Sequence, residues 1–129
     1  MQAEIKAVEV QLEIFPRWDI DTKTYEIDRV YIITPEFDIL PNVKQWIEAH
    51  EPQAFYLTKE ERTTMEHLVL RTVQYEVEVM YHKGHDGRKK VKTATCQNVH
   101  LPNFVKAWVE LQAKNDVEKE PYDTANTNQ

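Results

Sequence analysis

The sequence predicts an α+β fold: an antiparallel sheet of four strands with helices packed on one face, in the order ββα-α-ββα. Two pairs of segments alternate between apolar and polar residues, and a short polar turn separates the members of each pair. Segments with helical spacing of apolar residues follow each pair instead of separating its members, which disfavours a parallel βαβ arrangement. The strict alternation also indicates that the other face of the sheet stays polar.

The first hairpin is predicted from alternation over residues 7–15, where every second residue is apolar. Pro16 is expected to end this strand, and residues 19–23 are expected to form a polar loop. The returning strand is expected over residues 25–34, which are rich in Tyr, Ile and Val. The side chains predicted to face the core from the first strand are Val8, Val10, Leu12 and Ile14.

Two short helices are predicted between the hairpins. The first begins at Asn42, a residue typical of helix caps, and ends before Pro52. It places Val43, Trp46, Ile47 and His50 on one face. The second is predicted over residues 59–69, because Thr58 and Glu61 have the spacing of a capping box.

The second hairpin is predicted from alternation over residues 73–81, with Gly84 and Gly87 supplying the positive φ of a tight turn. Residues 89–99 are expected to form the returning strand. A last helix, capped by Asn103, is predicted to bury one face, comprising Phe104, Val105, Trp108 and Leu111.

Residues 1–113 are therefore predicted to form a single α+β domain, and residues 114–129 a disordered polar tail. The segments 40–48 and 101–110 are similar, both beginning with Leu, Pro and Asn, which is compatible with an internal duplication. Against it, one inserted residue inside the helix turns everything beyond it by about 100°. Similar demands of capping and burial explain the likeness equally well.

Composition excludes several classes of function. The chain has 129 residues and contains no serine and only 2 glycines, so a serine nucleophile and a glycine-rich phosphate loop are both excluded. Its apolar runs are too short to cross a membrane. A single cysteine, Cys96, is expected to be a buried thiol and suits a reducing compartment, so a cytoplasmic location is predicted. No cofactor, metal site or catalytic residue is assigned.

Charge is distributed unevenly along the chain, whose net charge is −6. Residues 1–61 carry 13 acids against 6 bases, whereas residues 62–113 carry 8 bases against 5 acids. Such a chain can present two surfaces of opposite sign.

The preferred function is a non-catalytic protein-interaction module. An acidic face of the first hairpin would bind the partner, through Glu9, Glu13, Glu26 and Asp28. Residues on one face of a strand repeat about every 6.8 Å, comparable to every second phosphate of DNA, so this face could mimic DNA and inhibit a nucleic-acid enzyme. An ordinary solvated face explains the same acids. Trp18 and Tyr56 are alternative contacts to a protein partner.

The first alternative is nucleic-acid binding by the second hairpin, which is rich in basic residues. They are Lys83, Arg88, Lys89, Lys90 and Lys92. Lysines on an edge strand also deter aggregation, which explains them without a ligand.

The second alternative is a small metal-dependent nuclease that uses Asp19, Asp21 and Lys23 with Glu13 or Asp28. A polar hairpin loop explains those residues as well. Small size, scarce glycine and uneven charge are similar to those of small phage-encoded proteins that bind host factors. A homodimer is also compatible with these features, and no membrane partner is expected.

Overall fold

The computed structural model describes residues 1–33, 38–51 and 69–122. Its elements in chain order are β1 (Gln2–Asp19), β2 (Thr24–Ile32), α1 (Pro41–His50), β3 (Val69–Lys83), β4 (Lys89–Cys96) and α2 (Asn103–Glu118). The strands form one antiparallel sheet in the order β2-β1-β3-β4. The predicted α+β class and the four-stranded sheet are thus confirmed, while the duplication and the placement of the helices on a single face stay predictions.

The chain divides into two compact units. The middle unit is Glu9–Val73, and the flanking unit combines Met1–Val8 with the chain from Gln74 onward. The middle unit contains the first hairpin and α1, and the flanking unit contains the second hairpin and α2.

In the middle unit, β1 pairs with β2 from the rung Leu12–Ile32 to the rung Asp19–Thr24. The predicted end of the strand at Pro16 is wrong, because β1 continues to Asp19. Pro16 lies where the register shifts by one, and a residue without an N–H is tolerated at such a bulge. The shift leaves Asp28 of β2 without a residue opposite it.

The loop of this hairpin is held by local hydrogen bonds. One carboxylate oxygen of Asp19 accepts the amides of Asp21 and Thr22, at 2.9 and 3.3 Å. The amide of Lys23 donates to the Asp19 carbonyl at 2.8 Å, and Lys23 has a φ of 55°. The polar loop predicted here is confirmed.

Helix α1 begins differently from the prediction. Leu40 is the N-cap and Pro41 occupies the first turn, where its restricted φ favours the helix. The Asn42 side chain accepts the amide of the next residue, Val43. An N-cap side chain accepts an amide two or three residues further on, so Asn42 is not the cap. The buried residues of the unit come from β1, α1 and the start of β3, and they are Val10, Leu12, Ile14, Val43, Ile47 and Val73.

The predicted helix over residues 59–69 lies outside the described residues, apart from Val69, which begins β3. Tyr56, the alternative partner contact, also lies outside them.

In the flanking unit, β3 pairs with β4, and a register shift at Met80 and Tyr81 leaves Lys92 without an opposite residue. Gly87 has the positive φ expected in the turn, at 79°, but Gly84 does not. Strand β4 ends at Cys96, three residues before the predicted end at residue 99. The chain turns there because the Asn98 side chain accepts the amide of His100.

Helix α2 corrects the predicted tail. It continues to Glu118, so residues 114–118 are helical, and Val117 is fully buried. Residues 123–129 lie outside the described part of the chain. Pro102 is the N-cap, so Asn103 is the first helical residue and not the predicted cap.

The buried face of α2 is rotated from the predicted one. Phe104 and Leu111 are 41% and 50% exposed, although Trp108 is buried as predicted. The prediction failed because Val117 was assigned to the tail, which hid the direction of the apolar stripe. The residues that α2 buries are Val105, Trp108, Val109, Ala113 and Val117.

Strands β3 and β4 supply the rest of this core. Tyr75, Val77, Val79 and Tyr81 are buried here, and Val73 is buried in the middle unit, as the alternation predicts. Cys96 is the expected buried free thiol. No helix in the described residues is long and apolar enough to cross a membrane.

Candidate protein-interaction surface

The exposed face of the first hairpin brings aromatic and charged side chains together. Cross-strand rungs join Glu13 to Tyr31, Phe15 to Arg29 and Arg17 to Glu26. Side chains on one face of neighbouring rungs contact each other across an antiparallel pair. We call this surface the hairpin face and define it as Glu13, Phe15, Arg17, Glu26, Asp28, Arg29 and Tyr31.

An aromatic cluster lies at one end of the hairpin face. The rings of Phe15 and Tyr31 meet edge to face, with centroids 5.6 Å apart and planes at 82°. The Arg29 guanidinium carbon lies 5.2 Å from the centre of the Phe15 ring, within cation–π distance. Tyr31 is nevertheless 43% exposed. This cluster therefore presents an ordered aromatic surface to solvent.

Charged side chains continue the hairpin face toward the turn. Oδ2 of Asp28 lies 3.4 Å from Nε of Arg29, and Oδ1 lies 4.0 Å from Nε of Arg17. These side chains are 38% to 66% exposed, so the ion pairs contribute little to stability. They place the Asp28 carboxylate between the two arginines.

The predicted acidic face is therefore a face of mixed charge. Arg17 and Arg29 lie among the acids, and Asp28 is paired with both. Sequence reasoning missed this because the bulge changes the alternation: Asp28 and Arg29 are consecutive and both exposed. A strict period of two would have placed them on opposite faces.

The other predicted acids lie as expected at the surface or close to it. Glu9 and Glu26 are exposed, and Glu13 is half-buried beside Tyr31. Among the described residues, neither Glu13 nor Glu26 has an ion-pair partner.

A second aromatic pair lies near the turn of the same hairpin. Trp18 and Tyr25 face each other across the rung, with ring centroids 4.9 Å apart. Trp18 is 49% exposed and Ile20, in the loop, is 78% exposed. Trp18 is thus exposed, as the sequence predicts.

One of the basic residues predicted on the second hairpin, Lys89, is buried. Lys89 is only 9% exposed, and its Nζ lies 2.8 Å from Glu120 and 3.2 Å from Glu4. The same ammonium lies 4.7 Å from the centre of the Tyr81 ring. Lys89 therefore packs within the protein, and little of its surface is left for the nucleic-acid contact that the sequence predicts. The remaining cations, Lys83, Arg88, Lys90 and Lys92, are exposed.

We call the group of Glu4, Lys6, Lys89 and Glu120 the charge clamp. Nζ of Lys6 lies 2.7 Å from Glu120, so this one carboxylate binds both lysines. A hydrogen bond to Glu120 is the main reason that the pKa of Lys6 is raised. Burial alone would lower the pKa of Lys89, but hydrogen bonds to Glu120 and Glu4 outweigh it and raise that pKa. Burial alone would raise the pKa of Glu120, yet hydrogen bonds from Lys6 and Lys89 lower it.

No family model, curated protein or solved structure matches this chain. The geometry of the molecule must therefore carry the functional argument alone.

That geometry gives no support to a metal-dependent nuclease. Across residues 1–33, 38–51 and 69–122, no group of three or more His, Cys, Asp and Glu residues could hold a metal ion. Asp19 uses one of its carboxylate oxygens to order the hairpin loop. Asp28, another predicted ligand, is paired with arginines.

Proposed function

We propose that this protein is a non-catalytic interaction module that binds a protein partner through the hairpin face. The observation that carries the proposal is the cluster formed by half-buried Phe15 with exposed Tyr31 and Arg29. Tyrosine and arginine are enriched among residues that dominate binding energy, and these two already contact the Phe15 ring. Little side-chain entropy would then be lost on binding.

The charges on this face define the partner's chemistry. Glu13, Glu26 and Asp28 outnumber the two arginines on this face, and exposed Glu9 lies further along β1, which favours a basic rim on the partner. The aromatic cluster favours an apolar recess within that rim. The partner that fits is a basic protein with an apolar recess in its surface. A nucleic-acid enzyme is one such protein, and this chain would inhibit it in the cytoplasm.

A pull-down with matched variants tests the proposal. Tyr31→Ala combined with Arg29→Ala should abolish recovery of the partner, because the ordered aromatic surface is removed. Thr93→Ala combined with Thr95→Ala changes exposed residues of the second hairpin and should leave recovery unchanged. Equal recovery of the partner by all three proteins would overturn the hairpin face as its binding surface.

Charge reversal at Glu9 and Glu13 then tests the basic rim. Replacing both by Lys should slow association with the recovered partner on the order of tenfold at low salt, with a weaker effect at high salt. Unchanged association rates in stopped-flow or surface-plasmon measurements would show that these acids are only solvated.

Nucleic-acid binding by the second hairpin is a second candidate. The observation that favours it is the exposure of Lys83, Arg88, Lys90 and Lys92 around one turn and its strands. Lys83→Glu with Lys90→Glu should abolish binding of DNA or RNA at low salt if this candidate is correct. A wild-type protein that fails to bind either nucleic acid at low salt would remove the candidate.

A further inference from the structure

Strand β2 forms one edge of the sheet, and its outer side is open along the described part of the chain. Within residues 1–33, 38–51 and 69–122, no backbone hydrogen bond reaches the outer side of β2. An open edge is a template for another strand, and proteins usually protect it. The question is which strand would fit.

The hydrogen-bonding groups on this edge can be placed from the ladder. The amide of Ile33 donates to the Gln11 carbonyl at 2.9 Å, so alternate rungs, including those of Tyr31 and Arg29, bond toward β1. The intervening residues Val30 and Ile32 then point their amides and carbonyls to the open side.

Beyond the bulge, the alternation is displaced by one residue. Pro16, which has no N–H, lies opposite Ile27, and Trp18 lies opposite Tyr25. With bonding rungs continuing at every second residue of β1, Ile27 and Tyr25 point to the open side.

The bulge therefore gives β2 a symmetric pattern about the point between Asp28 and Arg29. Side chains on either side of this point run exposed, half-buried, exposed, half-buried. The half-buried residues are also those whose backbone groups point to the open edge, and they are Tyr25, Ile27, Val30 and Ile32.

From this symmetry, we infer that β2 pairs antiparallel with β2 of a second copy of this chain, with the two-fold axis between Asp28 and Arg29. Asp28 then lies opposite Arg29 of the second copy, and this pair occurs twice. Ile27 lies opposite Val30, and Tyr25 opposite Ile32, with side chains on matching faces.

The same bulge selects against other strands. A strand with unbroken alternation could match β2 on only one side of Asp28, because its side chains and its hydrogen-bonding groups would fall out of phase on the other side. A strand with the same bulge stays in phase along its whole length. The second copy is therefore the favoured occupant, and an extended peptide is the alternative that the test excludes.

A charge-swap cycle, read by sedimentation equilibrium of the purified chain up to roughly 1 mM, tests this inference. The wild-type chain should self-associate. Asp28→Arg and Arg29→Asp should each weaken the dimer on the order of tenfold, because each places like charges opposite one another twice. The double variant Asp28→Arg with Arg29→Asp restores opposite charges and should restore the dimer. Lys90→Asp, on the second hairpin, is the control and should leave it unchanged.

A second variant tests the backbone. Val30→Pro removes an amide that points to the open side, so it should abolish self-association while circular dichroism shows the fold retained. A monomeric wild-type chain, or single and double charge variants that associate equally, would overturn the inference. The readout needs no protein partner, so it can fail while the proposed function stands.

Discussion

The two edge strands of the sheet, β4 and β2, differ in whether other groups accept their outward-pointing amides. Along β4, helix α2 supplies acceptors: Glu110 accepts the amide of Cys96 at 2.7 Å, and Glu118 accepts that of Val91 at 3.1 Å. The carbonyl of Glu120 accepts the amide of Lys89 at 3.2 Å. Along β2, no described residue plays this part.

This difference shows how one sheet can combine a closed side with a side open to association. Carboxylates from a helix satisfy two edge amides of β4, which weakens this edge as a template for another strand. The two hairpins otherwise share one design, since each returning strand carries one bulged residue, Asp28 or Lys92. Helix α2, which carries Glu110 and Glu118, accounts for the difference between the two edges.

Ending the chain at Lys114 should have the largest effect. The truncation removes buried Val117, the Glu118 acceptor and Glu120 of the charge clamp. The combined loss should cost about 5 kcal/mol or more, comparable to the whole stability of many domains. Thermal unfolding followed by circular dichroism measures it. A truncated chain that melts within a few degrees of the full chain would show that residues beyond 114 are dispensable.

Substitution of the two helix tryptophans should have the next largest effect, and its cost should differ between α2 and α1. Trp108 of α2 is 3% exposed, so Trp108→Ala should cost about 3 to 5 kcal/mol. Trp46 of α1 is half-buried and stacks on His50 with ring centroids 4.9 Å apart, so Trp46→Ala should cost only about 1 to 2 kcal/mol. Urea unfolding gives both values. Equal costs would mean that the two helices are anchored alike.

Glu120→Gln should have a smaller effect than Trp108→Ala, with a distinct dependence on pH. The pKa of Glu120 is lowered from 4.5, so its stabilisation is present above about pH 4.5 and is lost as pH falls through the lowered pKa. The pKa values of Lys6 and Lys89 are raised from 10.5, so their share is lost only as pH rises beyond that value. Wild type should exceed the variant by about 1 to 3 kcal/mol on a plateau between these limits.

Urea unfolding at several pH values measures that difference. Glu118→Gln is the matched control, because Glu118 accepts a neutral amide and lies outside the charge clamp. A wild-type advantage over Glu120→Gln that persists unchanged well below pH 4 would rule out ionic stabilisation by Glu120.

The sequence predicted the alternating strands because burial on one face imposes a period of two. Val8 to Ile14 and Val73 to Tyr81 are buried at every second residue, as expected. It failed at Pro16 and Asp28, because a bulge depends on pairing with another strand and leaves no local signal.

The candidate surfaces were predictable only in part. Exposure of Lys90 and Trp18 follows from local pattern, but the burial of Lys89 depends on Glu4 and Glu120, 85 and 31 residues away. Long-range ion pairs of this kind cannot be found from spacing along one strand. Arg17 and Arg29 were missed on the face assigned to acids for a different reason: β1 continues past Pro16, and the bulge at Asp28 places Arg29 on that face.

The charge clamp also bears on how the protein folds during synthesis. Its bond between Lys6 and Glu120 spans 114 residues, whereas the first hairpin and its loop close over short distances in sequence. Contacts of such separation form late, because a long loop must be closed before they contribute. On the ribosome, the first hairpin can therefore form before Lys6 has paired with Glu120 and before Glu4 has paired with Lys89. Until Glu120 emerges, β4 keeps an unprotected edge, and this interval is when the nascent chain is most exposed to aggregation.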